Sequence, residues 1–418
     1  SSSGVGETAN SVEETPSKTI ENVIFGDVAF EHCVKNLADE KGWVFVDEVT
    51  SLSCFSQDIS NVQGVEEFKA LSSMQLFTES LENIDISNNI KLKYLKVISE
   101  KMVSIDVSKN TALESLMLIS DKLDNVDVTG NVALTNLHIT SNQVGSLDVS
   151  KNLALLTLHI EDFQLSNIDV SNNISLQNLE LWRNNLKSID VSNNGSLISL
   201  FSSENPISSV DVSNNLALKA LFLDGGNLIN IDVSGNLNLQ VLSFDDNDLT
   251  NINIGVNIEL RNLSFNRNQL AHIDVSNNLE LRGVYARSNL LTDIDISNNI
   301  MLKQLYLVDN ELTNLDVGNN PELEDLLVGY NHLSSIDVSK NIALKTFWSE
   351  RNQMSSVDVA NNTLLEVLNL KDNYLIDVSV SNNTELRYLL LKGNPLSPST
   401  ISYLDSINGI DGLVIHYE

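Results

Sequence analysis

A nine-residue pattern, Leu-x-x-Ile-Asp-Val-Ser-x-Asn, constrains this chain more than any other feature; Leu270 to Asn278 carries it in full. Its Asp position falls at residues 85, 106, 127, 148, 169, 190, 211, 232, 253, 274, 295, 316, 337, 358 and 379, every 21 residues with no slippage. Thirteen of those fifteen positions are Asp, the exceptions being Asn253 and Ser379. A fixed period of this length means stacked copies of one structural unit, none of which can bury its apolar face alone. The 418 residues therefore form a solenoid rather than the two or three globular domains that length by itself would suggest.

Fifteen copies supply an internal alignment. With Asp as position 0, position −1 is Ile, Val or Leu and position +1 is Val or Ile. Position +4 is Asn in all fifteen coils and +7 is Leu in all fifteen. Position +10 is Leu except for Val284 and Phe347, +12 is mostly apolar, +15 is usually Asn, and +17 is again apolar. Two half-repeats are nested here, each placing apolar residues three and then two apart. A spacing of two is a strand with one face inward. The closing Asn bends the chain, and its amide can bond the backbone of the next coil.

These residues resemble the leucine-rich repeat, and the 21-residue form ending in LDVSxN is similar to the internalin J type of bacterial surface protein. The resemblance implies a right-handed solenoid of about sixteen coils, with parallel β-strands stacked in two sheets and few helices. An N-terminal α/β cap and a C-terminal cap should cover its open ends. It also implies a non-catalytic binding or adhesion role at a cell surface. Repeats of that type carry a cysteine ladder near +12, which this sequence lacks.

The ends divide accordingly. Residues 1–20 read as a flexible tether, 21–63 as the N-terminal cap, 64–394 as the solenoid with a degenerate first coil over 64–84, and 395–418 as the C-terminal cap. In the N-terminal cap, Phe30, Val34 and Leu37 have helical spacing, with Asp27 as N-cap and Gly42 as the stop. Trp43–Val46 and Glu48–Phe55 read as short strands. In the C-terminal cap a helix is expected over 399–407 and a strand over 412–417. Cys33 and Cys54 are the only cysteines and lack the companions of a zinc site, so a disulfide in an exported protein is the reading. The polar Ser/Gly-rich start suggests a mature N-terminus and a lipid anchor as the means of membrane attachment.

A net charge of −31 argues against nucleic acid and anionic lipid as partners. Part of that charge is the Asp column itself. Neighbouring carboxylates about 5 Å apart cost about 0.8 kcal/mol per pair in water, so local hydrogen bonds must offset the repulsion.

Specific binding needs variable outward positions, which on the +10/+12 strand are +9, +11 and +13, flanked by +8 and +14. There the sequence places Trp182, Arg183, Phe201, Phe222, Asp224, Asp245, Arg267, Tyr285, Arg287, Tyr306, Tyr330, Trp348, Glu350 and Arg351. Drift at exposed positions favours small polar residues; aromatic residues interleaved with Arg and Asp have the composition of an interface core. The partner expected is a protein, with a polysaccharide as the alternative because aromatic stripes also stack on sugars. The protein is expected to act as a monomer, outside the cell or on its surface, without a cofactor. His138, His159 and Glu180 share position +11 on consecutive strands and support a third reading, a metal-dependent enzyme. Nothing else in the repeats has the spacing of a catalytic motif.

Overall fold

The structure, a computed structural model, describes residues 17–162 and 164–417. Most of the expected tether, residues 1–16, lies outside them. The chain divides into two compact units, with the break between Leu134 and Thr135.

In the first unit, Asp27 caps helix α1 (Val28–Lys41) by accepting the Phe30 N–H at 2.9 Å. The helix stops at Gly42, which is left-handed at φ 73°. Phe30, Val34 and Ala38, four residues apart, are its buried face, and Leu37 is only half-buried. The Cys33–Cys54 disulfide fastens α1 to the strand Ser51–Phe55.

Trp43–Val46 departs from expectation. Phe45 makes a single antiparallel bridge to Thr19, and Val46–Glu48 is a 3₁₀ turn. The cause is local: the Glu48 carboxylate accepts the N–H groups of Val44 and Phe45 at 2.7 and 2.8 Å, so those donors are lost to any strand partner. Strands Ser51–Phe55, Ser73–Thr78, Tyr94–Ser99 and Ser115–Ile119 then pair in parallel, in chain order. Gly64 replaces the repeat Asp in the degenerate coil. Its φ of 105° and the Phe25 ring, 2.9 Å from where a Cβ would sit, admit only glycine.

In the second unit the parallel strands run from Asn136–Thr140 to Tyr388–Leu390, and Val414–His416 adds a last strand. Before it, helix α2 (Pro398–Ile407) starts where the Ser397 hydroxyl accepts the Thr400 N–H at 3.2 Å. Inside each coil the constant apolar positions are buried; Leu218, Leu221, Leu223 and Leu228 of one coil are each at most 1% exposed. In place of cysteine at +12 there are aliphatic residues, the buried Ser202 and Ser349, and a pair of phenylalanines, Phe244 and Phe265, stacked 6.0 Å apart.

Two asparagine columns join each coil to the one before. At +4, the Asn215 amide donates to Val191 O at 3.0 Å and to Asn194 O at 2.9 Å. At +15, the Asn268 amide donates to Phe244 O at 2.7 Å, and its Oδ1 accepts the Leu249 N–H at 3.0 Å. Equivalent bonds recur along the unit, so backbone groups buried in the bends are satisfied across coils.

The Asp side of the coil is less strand-like than the repeat suggests. Among the described residues it pairs as strand only at Ser188–Asp190 with Ser209–Asp211, beyond one bridge between Ser104 and Asn125. The +1 carbonyl explains this. Even where it pairs, the strand ends at Asp190, because Val191 O already accepts the Asn194 N–H at 3.0 Å and the Asn215 amide and the chain turns at once.

Candidate functional site

The outward face of the second unit's sheet gathers the variable side chains into two aromatic groups. In the first, Trp182 stacks on Phe201 at 5.9 Å and Phe201 on Phe222 at 4.6 Å, in successive coils. In the second, Tyr285 and Tyr306 meet edge to face at 5.0 Å. A groove beside them is lined by Arg287, Val308, Leu327, Tyr330, Trp348 and Glu350. Tyr330 and Trp348 are 40% and 36% exposed, high for residues of this size, and the Arg351 guanidinium lies 5.0 Å above the Tyr330 ring. Four sequence-predicted residues, Arg287, Tyr330, Trp348 and Glu350, thus converge on one concavity.

Between the groups the face is polar and internally bonded. Asp224 accepts the Ser243 hydroxyl at 2.6 Å and the Asp245 N–H at 2.8 Å. Asp245 repeats the arrangement one coil on, accepting the Ser264 hydroxyl at 2.6 Å and the Asn266 N–H at 2.7 Å. Asn266 Oδ1 then accepts the Arg287 N–H at 2.9 Å. In these three coils position +13 uses its side chain to satisfy the next coil's backbone. Burial pushes the Asp224 carboxyl above its ordinary range, against the Ser243 and Asp245 donors that lower it. Expected in the sequence as contact residues, Asp224 and Asp245 carry a scaffold role within the sheet.

Position +14 carries a feature that the sequence conceals. Asp162, Arg183, Glu204, Asp246, Arg267, Ser288, Asp309, Tyr330, Arg351 and Asp372 all have φ between 49° and 62°. Non-glycine residues pay about 1–2 kcal/mol for this conformation, yet glycine stands there only at Gly225 and Gly393 in the same run. The side chains are engaged instead: Arg183 pairs with Asp162, Arg267 with Asp246, and Arg351 with Asp372 at 3.4 Å. The left-handed turn raises these groups to the rim of the sheet, which places Arg267 and Arg183 beside the face but already paired.

His138 and His159 occupy paired positions on adjacent strands, their rings stacked 3.9 Å apart. His159 Nδ1 lies 2.6 Å from Glu180 Oε2, and its Nε2 lies 3.4 Å from Glu161 Oε2. Burial pulls the His159 pKa down, but the Glu180 and Glu161 carboxylates outweigh it and raise the value above the ordinary one. His159 in turn holds Glu180 below the usual carboxylate range.

The Asp column has a local explanation. Each carboxylate accepts the backbone N–H two residues on, as Asp190 does from Ser192 at 3.0 Å and Asp274 from Ser276 at 2.9 Å. Ser hydroxyl and backbone N–H bonds together lower the pKa of Asp190, Asp211, Asp232, Asp274 and Asp295.

One surface feature escaped the sequence reading. Position +5 is aliphatic in ten of fifteen coils, and in the second unit Leu216, Leu237, Ile258, Leu279 and Ile300 form a consecutive column 53% to 59% exposed. Aliphatic residues recurring just after the constant Asn were the available signal.

No protein-family model and no curated protein sequence matches the chain. Solved structures do. The functional domain of InlJ from Listeria monocytogenes, which includes a cysteine ladder, is 25% identical over 90% of this chain and 81% of its own, with a TM-score of 0.74. A Leptospira interrogans LRR protein is 20% identical over 89% of this chain and 96% of its own, TM-score 0.76. The plant peptide hormone receptor RGFR1, solved in complex with RGF2, is 17% identical over 84% of this chain and 75% of its own, TM-score 0.58. These similarities show the fold, a leucine-rich-repeat solenoid. Repeat length, parallel-strand coils and structural neighbours agree that this chain is a leucine-rich-repeat solenoid protein of the kind found in bacteria, resembling the internalin J type.

Proposed function

We propose that the protein is a non-catalytic recognition module that binds a protein partner through the outward sheet face of residues 135–418, centred on the groove of Arg287, Tyr330, Trp348 and Glu350. The observation carrying this reading is that groove: exposed aromatic side chains beside arginine and glutamate, in a concavity built on fixed strands. Trp, Tyr and Arg dominate binding energy at protein interfaces. A surface held by strand pairing and two asparagine columns loses little conformational entropy on binding. Trp182, Phe201 and Phe222 form a second, stacked contact patch on the same face, and Tyr285 and Tyr306 border the groove.

The disulfide supports action in an oxidising compartment, outside the cell or at its surface. Adhesion through a lipid-tethered, monomeric solenoid is the form this reading takes. Parallel screens of the intact protein against arrays of extracellular proteins and of glycans test it. Saturable binding to a protein supports the reading, and binding confined to glycans overturns it.

A further inference from the structure

The geometry points to a binding site for a single zinc-class divalent cation on the outward face of the second unit, with His138, His159 and Glu161 as its ligands. One ligand atom from each of the three lies within 4.8 Å of the others. A tetrahedral ion with nitrogen and oxygen ligands at about 2.0–2.2 Å needs ligand atoms roughly 3.4 Å apart. Rotation about the side-chain torsions of three partly exposed residues supplies that contraction. His159 and Glu161 side chains are only 18% and 26% exposed, which limits competition from solvent.

The surrounding bonds aim the ligands. Glu180 Oε2 lies 2.6 Å from His159 Nδ1, which makes that nitrogen the donor, so Nε2, 3.4 Å from Glu161 Oε2, is the nitrogen that gives up its proton to a bound ion. This is the carboxylate–histidine pairing that orients a metal-bound imidazole. On the other side, Arg183 Nη2 holds Glu161 Oε1 and leaves Oε2 toward His159. His138 and His159 are register partners on adjacent strands, and their rings, stacked 18° from parallel, must tilt about their side-chain torsions to share one ion. In the sequence, Glu180 shares position +11 with the two histidines. The structure gives Glu180 the positioning role and brings in Glu161 from +13 of the preceding coil.

Two imidazoles and one carboxylate suit zinc and its neighbours, whereas calcium and magnesium require oxygen-rich sites. Three protein ligands leave a fourth position for water or for a group on a partner.

The test is titration of the chelator-treated full chain with zinc chloride alone, followed by calorimetry and by competition with a chromophoric chelator. The site predicts one equivalent bound. His159→Ala and Glu161→Gln should each lose that equivalent. Glu180→Gln should weaken it by about 10- to 100-fold, the usual effect of removing an orienting partner. Trp348→Ala should leave it unchanged, and millimolar calcium should not displace it. Circular dichroism of each variant confirms that the solenoid is intact. Absence of a stoichiometric equivalent, its survival in Glu161→Gln, or its displacement by calcium would each overturn the assignment, the last by placing zinc on the acidic column.

Discussion

Asp224 shows how a side chain that looks like a contact residue can serve the frame. It accepts a hydroxyl and a backbone N–H from the next coil while half-buried beside Asp245. Asp224→Asn keeps an acceptor oxygen and removes a charge that burial disfavours, so it should change stability by less than about 1 kcal/mol. Asp224→Ala leaves the Asp245 N–H and Ser243 hydroxyl without their acceptor and should cost about 1–3 kcal/mol, measured by urea unfolding. The reverse order would show that Asp224 is not part of the scaffold. Position +14 makes a second residue-scale case. Ser288 sits at φ 54° among its neighbours. Ser288→Gly should stabilise the protein by about 0.5–1 kcal/mol, relief of the left-handed strain outweighing glycine's greater entropy loss. No gain would mean that the Ser288 conformation carries little strain.

The coil is the unit at the next scale, and its two constant polar columns act differently. The +4 Asn is a buried staple. Asn215→Ala deletes bonds to Val191 O and Asn194 O, although each carbonyl keeps a backbone donor, and should cost about 1–3 kcal/mol. The Asp column is an exposed set of turn-closing acceptors. Asp190, Asp211 and Asp232 have pKa values lowered first by the Ser hydroxyl and then by the Ser N–H two residues on. A lowered folded pKa gives stability that is present above the unfolded value of about 3.9 and is lost as pH falls through the folded value. Replacing Ser192, Ser213 and Ser234 together by Ala removes the larger cause and should move the acid-unfolding midpoint, followed by circular dichroism, to higher pH. A midpoint that stays put or falls would deny the hydroxyls this role. At the N-terminal cap, Cys33→Ser with Cys54→Ser opens a closed loop between residues 21 apart in sequence. That change should lower stability by about 3 kcal/mol, read as faster amide exchange in α1.

For the molecule as a whole, the solenoid was legible because a 21-residue period admits few folds and the fifteen copies reveal which positions face inward. The constant residues from +1 to +17 proved to be core or staple. What the repeat could not show was set by backbone conformation and by partners in neighbouring coils. Left-handed turns at +14 are occupied by Asp, Arg and Tyr, none of which announces positive φ. The Asp side reads as a strand from its apolar spacing, but its carbonyls are committed to the bend. Glu161 stands two residues from His159 on one strand, but that it also approaches His138 of the coil before depends on side-chain conformation. The groove was legible in part: its aromatic and charged residues stood out at variable positions, but that Tyr330 and Trp348 enclose one concavity depends on the turn at +14.

Recognition is proposed to belong to this face. The most direct measurement compares affinities for the partner found in the protein array, using the intact chain and two variants. Tyr330→Ala with Trp348→Ala removes the groove aromatics, and Leu237→Ser with Leu279→Ser blunts the aliphatic edge column. A loss of about 30-fold or more is expected for the groove variant, since one interface hot spot is worth roughly 2 kcal/mol, and an unchanged affinity for the edge variant. Full affinity in the groove variant with a loss in the edge variant would contradict it.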